Sequence, residues 1–171
     1  AMITTAHTDR ISAIATVPVT QAFGAGELAI VGSKDGTASV WRFVTSDFLP
    51  LRPKFRLKGH RDEEISGVAL DVSLNVCVTI SRTQCCIHSL SDGSLSNVVK
   101  PPKFPGIPLS QHKTVFVDTS AIALSKRGTL VLVCQSFPVG DDSVRKPIIT
   151  LQLFSLNGQQ LGSRALDTWR G

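Results

Sequence analysis

A serine, a histidine and an aspartate close together are the ingredients of a hydrolase, and His7, Ser33 and Asp35 supply them early in this chain of 171 residues. His88 and Cys85 add a second base and a thiol. Nucleophilic catalysis needs more than residue types: the hydroxyl must be exposed on a sharp turn, as in Gly-x-Ser-x-Gly, and no such elbow occurs. The same residues fit a structural role with fewer assumptions, as buried polar groups that bond one another and hold strands in register. The four cysteines, Cys77, Cys85, Cys86 and Cys134, show no Cys-x-x-Cys spacing, and His60 and His112 have no ligand spacing with acids or thiols. Phosphate loops, dinucleotide fingerprints and calcium loops are also missing from the sequence. These residues therefore imply no catalytic group, no metal and no cofactor, and the thiols read as buried and reduced.

A second set of residues suits binding. Lysine and arginine number 18 against 13 acidic residues, a net charge of +5 that permits acidic partners. Arg52, Lys54, Arg56 and Lys58 alternate with other residues, which puts all four on one face of a strand. Such a face guards an exposed sheet edge, or forms a site for phosphate or an anionic lipid. Phe104, in the proline-rich stretch 101–108, and Trp169, near the end, are candidate apolar anchors for a partner.

The elements that would position these residues are strands. Hydrophobic residues make up 42% and charged residues 18%, a folded composition, and no apolar run is long enough to span a bilayer. The start lacks the basic-then-apolar pattern of a secretory signal. Period-two alternation predicts twelve strands, read from the residues at 11–17, 28–32, 38–43 and 55–58, then 65–70, 77–81, 85–90 and 94–99, then 120–124, 130–135, 148–155 and 160–166. Turn signals at Lys34-Asp35-Gly36, Ser91-Asp92-Gly93, Lys126-Arg127-Gly128 and Asn157-Gly158 separate them. The class is all-β.

Self-similarity narrows the architecture. The third strand of each set shares one pattern: Val40, Ile87 and Leu153 correspond, as do Trp41, His88 and Phe154, then Phe43, Leu90 and Leu156. Four strands repeated three times match the blades of a propeller. The first unit, with His7 and then Ser33-Lys34-Asp35-Gly36-Thr37-Ala38-Ser39-Val40-Trp41, resembles the WD repeat. In that family a histidine before the first strand, a serine or threonine in the second, an aspartate in the turn and a tryptophan in the third form one network. The resemblance assigns these roles to His7, Ser33, Asp35 and Trp41. The second unit opens with Gly59-His60, carries Ser81, has Thr83 or Gln84 in place of the aspartate and His88 in place of the tryptophan, and so implies an incomplete network. The third keeps only the hydrophobic pattern. In order, Leu57-Lys58-Gly59-His60, Cys85-Cys86-Ile87-His88-Ser89-Leu90 and Leu153-Phe154-Ser155-Leu156-Asn157-Gly158 resemble the C-terminal propeller of BEACH-domain proteins, the neurobeachin and lysosomal-trafficking-regulator family.

The expected architecture is a partial WD-repeat β-propeller of about three four-stranded blades: a blade at 7–58, a blade at 59–100, a loop at 101–113, a blade at 114–166 and a tail at 167–171. Three blades are too few to close a ring, so this reading makes the chain part of a longer propeller with open edges that invite self-association. The resemblance implies a non-catalytic protein-interaction scaffold in vesicle and endolysosomal traffic, cytoplasmic and peripheral on endomembranes. Two alternatives stay open. One is a WD-repeat adaptor of another assembly; the other is a basic propeller binding anionic lipid, with nucleic acid the less favoured partner.

Overall fold

Four glycines, Gly36, Gly93, Gly128 and Gly158, take φ between 75° and 85°, the left-handed region that side chains disfavour, and each ends a tight turn between two strands. A serine opens each of these turns, its amide bonded to a carbonyl across the hairpin: Ser33 to Thr37, Ser89 to Ser94, Ser125 to Thr129 and Ser155 to Gln159. These are the turns expected from the sequence, and they set the strand boundaries in the computed structural model, which describes residues 6–19, 26–44, 53–100, 116–137 and 148–166.

Among the described residues, twelve strands form three four-stranded antiparallel sheets, each in chain order. The first contains β1 (Ile11–Val19), β2 (Gly26–Ser33), β3 (Ala38–Val44) and β4 (Pro53–Leu57). The second contains β5 (Ile65–Asp71), β6 (Val76–Ser81), β7 (Cys85–Ser89) and β8 (Leu95–Val99). The third contains β9 (Phe116–Leu124), β10 (Thr129–Phe137), β11 (Ile148–Ser155) and β12 (Gln160–Leu166). β1 runs past its expected end because Pro18, which cannot donate to a ladder, sits on an edge strand opposite Glu27. β9 starts earlier than expected because a bulge at Ser120 interrupts its alternation. The loop at 101–113 and the tail at 167–171 lie outside the described residues.

The first strand of each sheet lies innermost: β5 packs on β1 and β2, and β9 packs on β5 and β6. This is the blade-like, all-β arrangement expected, with two cores between three sheets. Ile30, Val40, Leu57, Ile65 and Cys77 fill the first core; Val78, Ile80, Ile87, Leu130, Leu132 and Phe154 fill the second. Cys77 and Val78 are adjacent and serve opposite cores, so the second sheet is covered on both faces and β6 and β7 are buried almost end to end, the polar Thr79, Ser81 and His88 included.

Bulges recur at fixed places. Between the third and fourth strands the register slips at Val40/Trp41, Ile87/His88 and Leu153/Phe154, the residues paired by the sequence pattern. Between the first and second strands it slips around Ser12, Ser66 and Ser120. The repeat is thus visible in the backbone as well as in the side chains.

Candidate functional site

His7 enters just before β1 and meets the end of β2 and the start of β3. Its Nε2 lies 2.6 Å from the Ser39 hydroxyl, which also accepts the Trp41 indole N–H at 2.7 Å. Its Nδ1 lies 3.1 Å from Thr37 Oγ1 and 3.5 Å from Asp35 Oδ2. Asp35 accepts the Thr37 amide and hydroxyl and the Thr8 amide. Every donor finds an acceptor if Ser39 donates to Nε2 and the Nδ1 proton faces Thr37 and Asp35. Burial opposes the Asp35 charge, yet the hydrogen bonds from Thr37 and Thr8, with His7 nearby, hold its carboxyl well below the usual range.

His7, Asp35 and Trp41 come together around the hydroxyl of Ser39 on β3, and Ser33 on β2 lies outside that contact. Ser33 instead braces the turn to the entry of β1: its hydroxyl reaches the carbonyls of Asp9 and Arg10 and accepts the Asp35 amide. Ser39 is fully buried, and removing its hydroxyl strands both the indole N–H and a ring nitrogen. We expect Ser39→Ala to cost about 2–3 kcal/mol of unfolding free energy in a urea titration. Adding Val31→Thr on the facing strand should recover part of that loss, because Val31 lies opposite Ser39. A double variant no more stable than the single one would refute the shared-hydroxyl account.

The second sheet uses that facing position. Thr79 stands opposite Cys86, as Val31 stands opposite Ser39, and its hydroxyl lies 2.7 Å from His60 Nε2. The acid also changes sides. Thr83 occupies the turn, and Glu63, from the loop entering β5, accepts the Thr83 amide and hydroxyl and the Ser81 hydroxyl at 2.6 Å. Burial alone would raise the Glu63 pKa; bonds from Ser81 and Thr83, together with His60, lower it instead. The second network is therefore rebuilt with the acid and hydroxyl exchanged, which the missing turn aspartate did not reveal. Its weak point is the place of Trp41. His88 is 1% exposed, and neither ring nitrogen makes a hydrogen bond of ordinary geometry among the described residues; His60 Nδ1 is also unpaired there. Burial drives both histidines down to about 4, assisted for His60 by His88 and opposed by Glu63, and opposed for His88 by the Gly93 backbone. In the third sheet Phe154 fills the corresponding place and is 2% exposed.

All four cysteines are buried as free thiols. Burial pushes Cys77 up to about 12 and Cys86 and Cys134 up to about 11, and raises Cys85 as well. None supplies a thiolate near neutral pH. Among the described residues, no group of three or more His, Cys, Asp or Glu is placed to hold a metal ion.

The basic strand is β4. Lys54 and Arg56 point outward while Phe55 and Leu57 pack inward, and Lys58 just beyond is exposed. Lys54 Nζ donates to the Leu90 carbonyl at 3.1 Å and lies 4.8 Å from the centre of the Phe55 ring, and Arg56 donates to the Ala6 carbonyl. Arg52, Phe104 and Trp169 lie outside the described residues. The structure adds a cleft of about 240 Å³ between the first two sheets. Val19, Leu28, Val72 and Leu90 supply apolar walls, with Arg42 and Lys54 as its cationic members. Arg42 is absent from the sequence-based set because β3 gives no sign that its polar residue faces a neighbouring sheet. No protein-family model matches the chain.

Proposed function

We propose that this chain is a non-catalytic protein-interaction scaffold, the propeller portion of a large BEACH-type protein acting in vesicle and endolysosomal traffic, cytoplasmic and peripheral on endomembranes. The observation that carries the scaffold reading is what becomes of the residues of catalytic type. Ser39, Ser33 and His60 are buried, their bonds run to other parts of the fold, and Ser39 Oγ is held between Trp41 and His7. A nucleophile so enclosed has no room for a substrate. The order of the WD-like and BEACH-like motifs supports the family reading, since Trp41, His88 and Phe154 each follow the same bulge. A WD-repeat adaptor of another assembly shares these features, and a BEACH domain in the same polypeptide would separate the two.

Recognition then falls to surfaces, and the cleft beside β3 and β4 suits a peptide segment joining an acidic residue to a large apolar one. Its walls would bury the apolar side chain, and Arg42 and Lys54 would face the carboxylate. Peptide display against the chain should enrich acidic–apolar sequences, and Arg42→Glu with Lys54→Glu should weaken them at least about tenfold, the loss of roughly 1.4 kcal/mol. Enrichment without acidic bias, or binding indifferent to both reversals, refutes the cleft as the site. Binding to phosphatidylserine vesicles that collapses with salt would instead favour the lipid reading, for which exposed Lys54 and Lys58 are the specific support.

A further inference from the structure

β4 and the segment that follows it run beside the β7–β8 hairpin. Lys54 Nζ reaches the Leu90 carbonyl at 3.1 Å, and a Cβ at Gly93 would stand 2.9 Å from the Phe55 side chain. Further along, Gln84 Nε2 donates to the Gly59 carbonyl, and a Cβ at Gly59 would stand 2.8 Å from Cys86 Sγ. The cleft described above lies at the Lys54 end of this line, and a second recess of about 570 Å³ opens at the Gly59 end. The two ends share one chemistry. Arg61 and Lys100 are the cations of the second recess, and Leu95 and Val98 of β8 are its apolar members. Glu63 is the one carboxylate among its described lining residues, and its oxygens are taken by the Ser81 hydroxyl and by the hydroxyl and amide of Thr83.

A strained turn places Arg61. Arg61 and Asp62 take φ of 40° and 68°, and the Glu63 amide closes onto the His60 carbonyl at 2.8 Å. Two consecutive left-handed residues without a glycine persist only where the surroundings hold them. Here His60 is anchored inside by Thr79, and Glu63 by Ser81 and Thr83, so both ends of the turn are fixed and Arg61 stands exposed at the recess. Leu95 is the apolar counterpart. It remains 46% exposed although its sheet has a neighbour on each side, so no adjoining sheet accounts for its surface.

We propose that the two recesses are the ends of one site, which takes a single extended segment of a partner protein with an acidic residue at each end and apolar side chains between. One carboxylate meets Arg42 and Lys54, the other meets Arg61 and Lys100, and Leu95 and Val98 cover the apolar side chains. From Lys54 to Gly59 the chain advances up to about 17 Å at about 3.3 Å per residue, so the two acids of an extended segment stand about four to six residues apart. The inference rests on the acidic–apolar reading of the cleft and adds to it a second anchor and a spacing.

Display of random twelve-residue peptides against the full chain tests it. Enriched sequences should carry two acidic residues about four to six positions apart, with apolar residues between them. In fluorescence anisotropy, Arg61→Glu with Lys100→Glu should weaken these peptides at least about tenfold, as should the reversal of Arg42 and Lys54. Lys126→Glu with Arg127→Glu, on an exposed turn of the third sheet, should leave them unchanged. Sensitivity to the Arg42 and Lys54 reversal alone, or enrichment for a single acidic position, overturns the second anchor and leaves the cleft standing. Equal losses with all three pairs show general charge attraction and overturn it as well. Failure to enrich any sequence, or binding indifferent to every pair, sinks the cleft along with it. Each variant should melt like the parent. If Arg61→Glu with Lys100→Glu melts early, Arg61→Asn with Lys100→Gln takes its place, since asparagine accepts the left-handed backbone.

Discussion

The unfolding free energy should be level above about pH 6.5 and fall steeply between about pH 6.5 and 4. His60 and His88 are held neutral by burial, with folded pKa values near 4 against 6.5 when unfolded. A group whose folded pKa is lowered in this way binds its proton first in the unfolded chain. Its contribution is complete above the unfolded value and is lost as pH falls toward the folded one. At 1.36 kcal/mol per pKa unit, each ring costs about 3 kcal/mol by pH 4, and the pair together rivals the roughly 5–15 kcal/mol that holds a domain folded. Asp35 and Glu63, whose pKa values are lowered, add a separate loss only below the ordinary carboxylate range. His88→Phe should remove one proton from this balance and two unpaired nitrogens from the core, placing there the side chain that Phe154 provides in the third sheet. The expected gain is about 1–2 kcal/mol at pH 7.5 and roughly 2 kcal/mol more at pH 5, read from urea unfolding at both values. An equal gain at the two pH values would show that His88 does not titrate on unfolding.

Gly32→Val should be the most damaging small substitution at a junction. A Cβ at Gly32 would stand 2.6 Å from Ile65 Cγ2 and 3.1 Å from Val68 Cγ1. Ile65 is itself buried in the first core, so it has no free space to move into. Overpacking of this kind costs about 1–3 kcal/mol or more, and we expect about 3. The double variant with Ile65→Ala should cost less than the sum of the two single changes by at least about 1 kcal/mol, the sign of a shared contact. Gly162 is the control: nothing lies within 4 Å of its Cβ position, and Gly162→Ala should stay within about 0.5 kcal/mol of the parent. Strict additivity at Gly32 and Ile65 would mean that the first two sheets do not meet as described.

Much of this architecture is legible in the residues. Alternating apolar positions and four glycine turns place twelve strands, and the pairing of Trp41 with His88 and Phe154 aligns the sheets because one bulge precedes all three. The network is less legible. Ser33 stands in a familiar motif, yet Ser39 carries the contact, since a hydroxyl can reach one point in space from either of two paired strands. For the same reason Thr79 and Glu63 replace a serine and an aspartate without leaving a pattern. The bulge serines escape period-two reasoning altogether, because an extra residue breaks the alternation by which strands are recognised. Their trace is a recurring triplet, Ile11-Ser12-Ala13, Ile65-Ser66-Gly67 and Thr119-Ser120-Ala121, a β-branched residue, a serine and a small residue.

The two-sided burial of the second sheet decides how the chain comes apart. Opening the third sheet uncovers one core, and opening the first uncovers the other. The second sheet cannot open without uncovering both, so among the three it has the highest local opening energy. Amides of β6 and β7 should therefore exchange with solvent last, and those of the solvent-facing β12 early, in a native-state hydrogen-exchange measurement. Cooperativity in such a chain belongs to the interfaces, as in a one-dimensional array of coupled neighbours, and each added neighbour would turn a fraying end into an interior unit.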